Sequence, residues 1–283
     1  MIPTMNPVTT GFHVPFLDFL DAAAAAQFPA IEYAITPFSE TAKEQSVEAA
    51  QELLASRKLA LGSFHLPVEF RNDEALFQEQ LKALPYHATV ARSLGADRCC
   101  TWLFPATDEP VAEYTSRLIR RLRMCAEVLN EYGIRFGIEW VGPKTLRTMK
   151  YEFIHNIPGM LELIGAIDKP NVGLLFDSFH WFTSHATTAD ILSLSADQIV
   201  FVHINDAPDR PIDEQIDNER LLPGEGIIDL AGMLKALRQI GYDSYVSVET
   251  FSEELPKLPP SDVTLRTKRA VDRVLASIEV ENG

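Results

Sequence analysis

An alternation constrains this chain more than any other feature. Eight short apolar runs are separated by longer stretches in which apolar residues recur at three- and four-residue spacing. The runs are 2–8, 30–33, 60–64, 98–104, 135–139, 172–177, 199–204 and 244–249. Val172-Gly-Leu-Leu-Phe176, Ile199-Val-Phe-Val202 and Tyr245-Val-Ser-Val248 are nearly continuous in apolar residues, as parallel strands buried on both faces must be. Helical spacing is read over 20–28, 46–56, 79–94, 111–132, 151–167, 189–194, 230–240 and 263–278. In the long helix, Arg117, Arg120, Arg121 and Arg123 are expected on the wetter positions. Gly95, Gly133 and Gly241 each stand between a helical window and the next run, where glycine accepts the left-handed conformation that ends a helix. Strict βα alternation leaves a (β/α)₈ barrel or a doubly wound sheet. Eight units without a Gly-rich phosphate loop after the first strand favour a single-domain α/β TIM barrel over residues 1–283. About 250 residues is the usual length of that fold.

Charge and cysteines exclude several classes. A formal net charge of −15 opposes a nucleic-acid partner, which needs a basic face to displace counterions. No apolar run approaches the ~20 residues that cross a bilayer. The first ten residues carry neither a basic n-region nor an apolar h-region. Cys99, Cys100 and Cys125 make no CxxC and no disulfide framework, and the adjacent pair points to opposite faces of a strand. A cytoplasmic protein is expected, with no membrane partner; a homo-oligomer is compatible with the composition.

In a barrel the C-terminal strand ends converge on one mouth, where active sites are built. Strand five ends in Glu139, strand six in Asp177, strand seven in His203 and strand eight in Glu249. A polar residue at one strand end carries little information, since the loop beyond is wet. Four successive strands ending in ligand-type residues are a pattern. Three carboxylates and an imidazole suit one divalent cation, with Mn²⁺ placed first and Mg²⁺, Co²⁺ or Zn²⁺ as alternatives. Without a cation the carboxylates repel one another. His65 closes strand three and is either a substrate contact or a capping group. His180 lies near the mouth, three residues beyond Asp177. Asp206 either orients His203 or is a turn carboxylate. Trp140 and Trp181 are pocket walls or core. The segment from Asp206 to Pro223, the longest without regular pattern, is expected to lie over the mouth.

Gly137-Ile-Glu-Trp-Val-Gly142, Asn171-Val-Gly-Leu-Leu-Phe-Asp-Ser-Phe-His180, His203-Ile-Asn-Asp206, Arg220-Leu-Leu-Pro-Gly-Glu-Gly226 and Val246-Ser-Val-Glu249 resemble the sugar phosphate isomerase/epimerase-like family of xylose isomerase-like TIM barrels. Within it they are most similar to bacterial inosose (2-keto-myo-inositol) isomerases. The resemblance covers the second half of the chain well and the first half only in rhythm. It implies Glu139, Asp177, His203 and Glu249 as metal ligands. It implies Glu139 and Glu249 also as proton carriers, with His180 and Arg220 as substrate contacts. The implied reaction is isomerisation of a keto-polyol or sugar through an enediolate. Ketose 3-epimerases carry a further glutamate after the strand-five ligand, where this chain has Pro143-Lys-Thr-Leu-Arg147. The endonuclease branch needs a histidine after strand four, which here ends Thr101-Trp-Leu-Phe-Pro105. The acidic loop after strand seven, with Asp206, Asp209, Asp213, Glu214, Asp217 and Glu219 against Arg210 and Arg220, favours a small neutral sugar or polyol over a phosphorylated one. A keto-sugar lyase or dehydratase, a 3-epimerase and a catalytically inactive carbohydrate-binding barrel are the alternatives.

Overall fold

The eight apolar runs pair in sequence order and close on themselves. In the computed structural model, which describes residues 1–279, they form β1 (Ile2–Met5), β2 (Ala30–Ala34), β3 (Ala60–His65), β4 (Arg98–Leu103), β5 (Arg135–Trp140), β6 (Val172–Asp177), β7 (Ile199–Ile204) and β8 (Tyr245–Val248). Every neighbouring pair is parallel, and β8 closes the ring against β1 through Ile2↔Tyr245 to Met5↔Val248. The expected TIM barrel is therefore the observed fold. Gly95, Gly133 and Gly241 all have positive φ, as the helix ends require.

Two separate apolar layers hold the barrel. Inside it, Cys100, Leu175, Val200 and Phe201 form a plug against Tyr245. Outside it, a large core fills the space between strands and helices and includes Cys99, Phe136, Leu174 and Val202. Cys99 and Cys100 thus face opposite sides, and all three cysteines are buried free thiols. No helix among the described residues is long and apolar enough to cross a membrane.

Local chemistry moved several expected boundaries. β1 stops at Met5 instead of reaching Val8. Pro7 has no N–H for the ladder, and Asn6 accepts from Val8 N to start a 3₁₀ turn over Pro7–Thr10. The helix expected from Glu79 begins at Glu74, because Asp73 caps Leu76 N. The helix expected from Tyr151 begins at Ile157, capped by Asn156 on Gly159 N. Tyr151–Glu152 instead pairs antiparallel with Ala106–Thr107. Helices over Thr36–Glu44 and Ser178–Thr183 were not expected. Arg121 is not on a wet face. It is buried and donates to Phe70 O, Asn72 O and Glu74, tying the loop after β3 to the long helix over Val111–Glu131.

Phe201 belongs to the interior plug, is fully buried and meets the His203 ring edge-on at 5.8 Å. Phe201→Ala is expected to cost about 3–5 kcal/mol, read as a lowered midpoint in urea denaturation.

Candidate active site and metal centre

The ends of β5 to β8 place Glu139, Asp177, His203 and Glu249 together, with one candidate ligand atom from each lying within 4.8 Å of the others. All four are buried. His203 Nδ1 sits at the centre, 3.5 Å from Glu139 Oε1, 3.4 Å from Glu249 Oε2 and 4.0 Å from Asp177 Oδ2. Nδ1 of His203 and Oε1 of Glu139 are buried and make no hydrogen bond. Buried polar atoms are rarely left so. Two orphaned atoms facing each other in a nest of carboxylates fit a divalent cation between them.

The carboxylates are not equivalent. Asp177 Oδ1 is committed to the backbone, accepting from Phe179 N at 2.7 Å and His180 N at 3.0 Å, where it caps the short helix after β6. Only Oδ2 faces the cluster, where Asn205 Nδ2 and Arg220 also reach it. Asp177 is therefore built to hold a fixed oxygen. Glu139 and Glu249 each keep an oxygen outside the cluster. Glu139 Oε2 lies 3.9 Å from His180 Nε2, and Glu249 Oε1 accepts from Asn6 Nδ2 at 3.4 Å. Their proton affinities diverge. Burial, reinforced by repulsion from Glu249 and Asp177, pushes the Glu139 carboxyl up to about 8. Burial acts on Glu249 too, but His203 and Arg220 override it and hold that carboxyl low. His203 follows the same logic. Burial alone disfavours its charged form, and the carboxylates of Glu32 and Glu249 raise its pKa well above the ordinary value.

The carboxylate that orients His203 is Glu32, and Asp206 does not have that role. Glu32 stands where the β2–β3 register shifts, since Ile31 pairs with Leu61 and Glu32 with Ser63, leaving Gly62 of β3 as the extra residue, an irregularity of the kind that re-aims side chains. It is fully buried, and its Oε2 accepts from His203 Nε2 at 2.8 Å and from Asn6 Nδ2 at 3.0 Å. With the proton held on Nε2, the Nδ1 lone pair of a neutral His203 faces the cluster, as a metal ligand needs. Burial opposes ionisation of Glu32, yet His203 and His65 keep its carboxyl well below the usual range. His65, on β3, places Nε2 3.3 Å from Glu32 Oε1 and lines the cavity over the site.

Asp206 has a different task. It accepts from Ala207, Gly224 and Ile228 backbone N–H groups and exchanges backbone bonds with Leu221. These bonds fold the loop after β7, which is ordered with two 3₁₀ turns, over the mouth. Gly226 is needed there, because a Cβ would sit 2.1 Å from Ala207 O. The loop delivers Arg220, buried between the Phe179 and Phe251 rings at 5.0 and 4.8 Å. Its guanidinium reaches Glu249 Oε2 at 3.1 Å, Asp177 Oδ2 at 3.3 Å and Asp217 at 2.8 Å.

Gly142 N donates to His180 Nδ1 at 3.2 Å, and the other ring nitrogen, Nε2, lies 3.2 Å from the Arg220 guanidinium and faces Glu139. Burial lowers the His180 pKa and favours the neutral form. Gly142 permits the approach, since a Cβ would fall 2.6 Å from His180 O. Trp140 does not wall the pocket. It is fully buried, donates to His180 O and packs edge-on against Phe176, bracing His180 from behind. Trp181 is buried as well.

Glu32, Asn6, Asn205 and Trp102 were not singled out from the sequence. A charged residue inside the apolar run Ala30-Ile-Glu-Tyr33 is the signal that marks Glu32. Asn6 and Asn205 lie at strand ends and read as ordinary turn residues.

A family model described as xylose isomerase-like TIM barrel matches residues 20–273. The chain belongs to that family. The inosose isomerase of Bacillus velezensis is 33% identical over 158 residues, covering 53% of this chain and 54% of that protein. The chain spans about half the length of the curated relatives it matches. A xylose isomerase domain protein from Alicyclobacillus acidocaldarius superposes with a TM-score of 0.92 at 30% identity, covering 99% of both chains. A structure of IolI protein with a binding zinc atom superposes with a TM-score of 0.83 at 23% identity, over 98% of this chain and 99% of that one, and shares the fold.

Glu32→Gln is expected to weaken divalent-cation binding about 10–100-fold with the fold intact, measured by competition against a metal-sensitive dye alongside circular dichroism. A cation needs Glu139 ionised and His203 neutral, and both groups bind protons more tightly than usual. Affinity is therefore expected to rise with pH towards about 8, the point at which Glu139 ionises, and binding at pH 7 should release protons. Calorimetry in buffers of different ionisation enthalpy reads that release.

Proposed function

We propose that this protein is a divalent-metal-dependent isomerase of a neutral keto-polyol or keto-sugar, of the inosose type. One observation carries the reading. Two glutamates, on β5 and just beyond β8, face each other across the cluster, each with one oxygen in it and one outside. The similarity to inosose isomerases supports the substrate class. Glu139, Asp177, His203 and Glu249 would hold the cation, which supplies Lewis-acid polarisation of a substrate carbonyl when bound.

The chain's own residues do the proton work. Glu139 and Glu249 each keep one oxygen outside the cluster, so one of the two takes the hydrogen from the carbon next to the carbonyl, and the other, or the same one, returns a proton to the neighbouring carbon. Arg220 keeps the negative charge that builds on the substrate oxygens near a fixed cation. His180, whose Nε2 lies beside Glu139 and Arg220, contacts a substrate hydroxyl. Asp177, with one oxygen spent on backbone N–H groups, takes no proton.

Incubation of inososes, ketoses and 3-keto-glycosides with Mn²⁺ in D₂O, followed by NMR, tests the proposal. The expected result is deuterium at the α-carbon and a product of unchanged heavy-atom composition. Loss of water would identify the dehydratase alternative. Glu139→Gln and Glu249→Gln are each expected to slow exchange about 10²–10⁴-fold; full exchange in both variants would overturn the assignment. Failure of the purified protein to bind Mn²⁺ or Zn²⁺ on titration would favour an inactive carbohydrate-binding barrel.

A further inference from the structure

The site opens onto two neighbouring chambers. The inner one, about 280 Å³, is lined by Glu32, His65, Cys100 and His203 and lies over the β1–β4 side of the mouth. The outer one, about 540 Å³, lies over the β5–β8 side. Glu139, Glu249, Phe12, Trp102 and Phe251 border both, so the chambers meet at the reactive carboxylates. The outer chamber is walled by Phe12, Trp102, Phe104, Leu146, Met149 and Phe251. Phe12 is 80% exposed, and Trp102, Phe104, Leu146 and Met149 are each 40% exposed. The indole of Trp102 is already fixed. Phe104 meets it edge-on at 4.6 Å, and the Arg71 guanidinium covers its ring at 4.4 Å.

The hydroxyls of a sugar ring need acceptors and donors, which Glu32, His65, His180 and Arg220 supply where the chambers meet the cluster, and the six apolar residues of the outer wall supply none. Exposed aromatic and aliphatic side chains in a concave wall gain by covering apolar surface. The outer chamber also lacks a free cation. Its lining includes no lysine, and its Arg220 is committed to Asp177, Asp217 and Glu249, so an anionic tail finds no partner.

We propose that the outer chamber binds the uncharged aromatic aglycone of a glycoside whose keto-sugar ring lies at the carboxylate cluster. This deepens the keto-sugar reading and rests on it. The continuity of the apolar wall with Glu139 and Glu249 selects a substrate group over a docked protein, because whatever fills the chamber touches the reacting carboxylates. Trp102 and Phe104 supply aromatic surface, and Leu146 and Met149 add aliphatic surface to the same wall.

Calorimetric titration with three probes tests this: free 2-keto-myo-inositol, methyl 3-keto-β-D-glucopyranoside and its 4-nitrophenyl counterpart. The aryl glycoside is expected to bind at least about tenfold more tightly than the methyl glycoside. The double substitution Phe104→Ala, Met149→Ala is expected to reduce that preference to about twofold. Both side chains are partly exposed, and an unchanged melting temperature confirms the fold. Equal affinity of the two glycosides in the unaltered protein would overturn the inference, as would a preference that survives the double substitution. Binding of 2-keto-myo-inositol alone would overturn it while leaving the keto-polyol reading intact. Binding of none of the three would remove both.

Discussion

Three carboxylates and an imidazole buried at one point set the terms for the rest of this structure. Burying like charges within a few ångströms is costly unless positive charge shares the space. The fold meets that requirement with protein atoms as far as it can. Arg220 lies between two aromatic rings against Asp177 and Glu249. Asn205 and Asn6 add neutral donors to Asp177 and Glu249. Within the four cluster residues, the buried atoms left without a hydrogen bond are His203 Nδ1 and Glu139 Oε1. They mark the place where the protein's own groups run out and a cation's charge is wanted.

The two halves of the barrel divide the work. β5 to β8 end in the four cluster residues. β1 to β4 contribute what surrounds them: Asn6, Glu32, His65 and Trp102. The Glu32–His203 bond at 2.8 Å crosses from one half to the other, joining the imidazole to a fully buried carboxylate that touches nothing else in the cluster save through Asn6 and His65. The arrangement makes His203 a rigid element, with the backing of Phe201 beneath it. The loop after β7 then brings Arg220 in from above, and Asp206 holds that loop closed by its backbone bonds. The acidic residue three positions after the histidine thus serves the loop, and the acidic residue 171 positions away serves the histidine.

Much of this was legible in the sequence. Parallel strands of a barrel are apolar on both faces and each is followed by a helix, so their positions are written as a repeating pattern. The last residue of each strand must point into the mouth or away from it, so Glu139, Asp177, His203 and Glu249 could be read together from four strand ends. Less legible were short elements whose start depends on one cap, such as the helix that begins when Asp177 accepts from two backbone N–H groups. Arg121 was misplaced because helical spacing does not reveal that a neighbouring loop needs a donor for Phe70 O and Asn72 O.

The sequence by itself determined the architecture and the four residues at the centre, because period and strand order are local properties. Tertiary structure alone decided which residues serve them. Glu32 is far from His203 along the chain, and only closure of the ring and the shifted register between β2 and β3 bring the two side chains into contact. Trp140 and Trp181 stood open as wall or core until the packing buried both, and the indole at the open mouth is Trp102, which the sequence did not single out. Side-chain partnership across a barrel depends on shear, twist and loop path together, and no stretch of sequence carries all three.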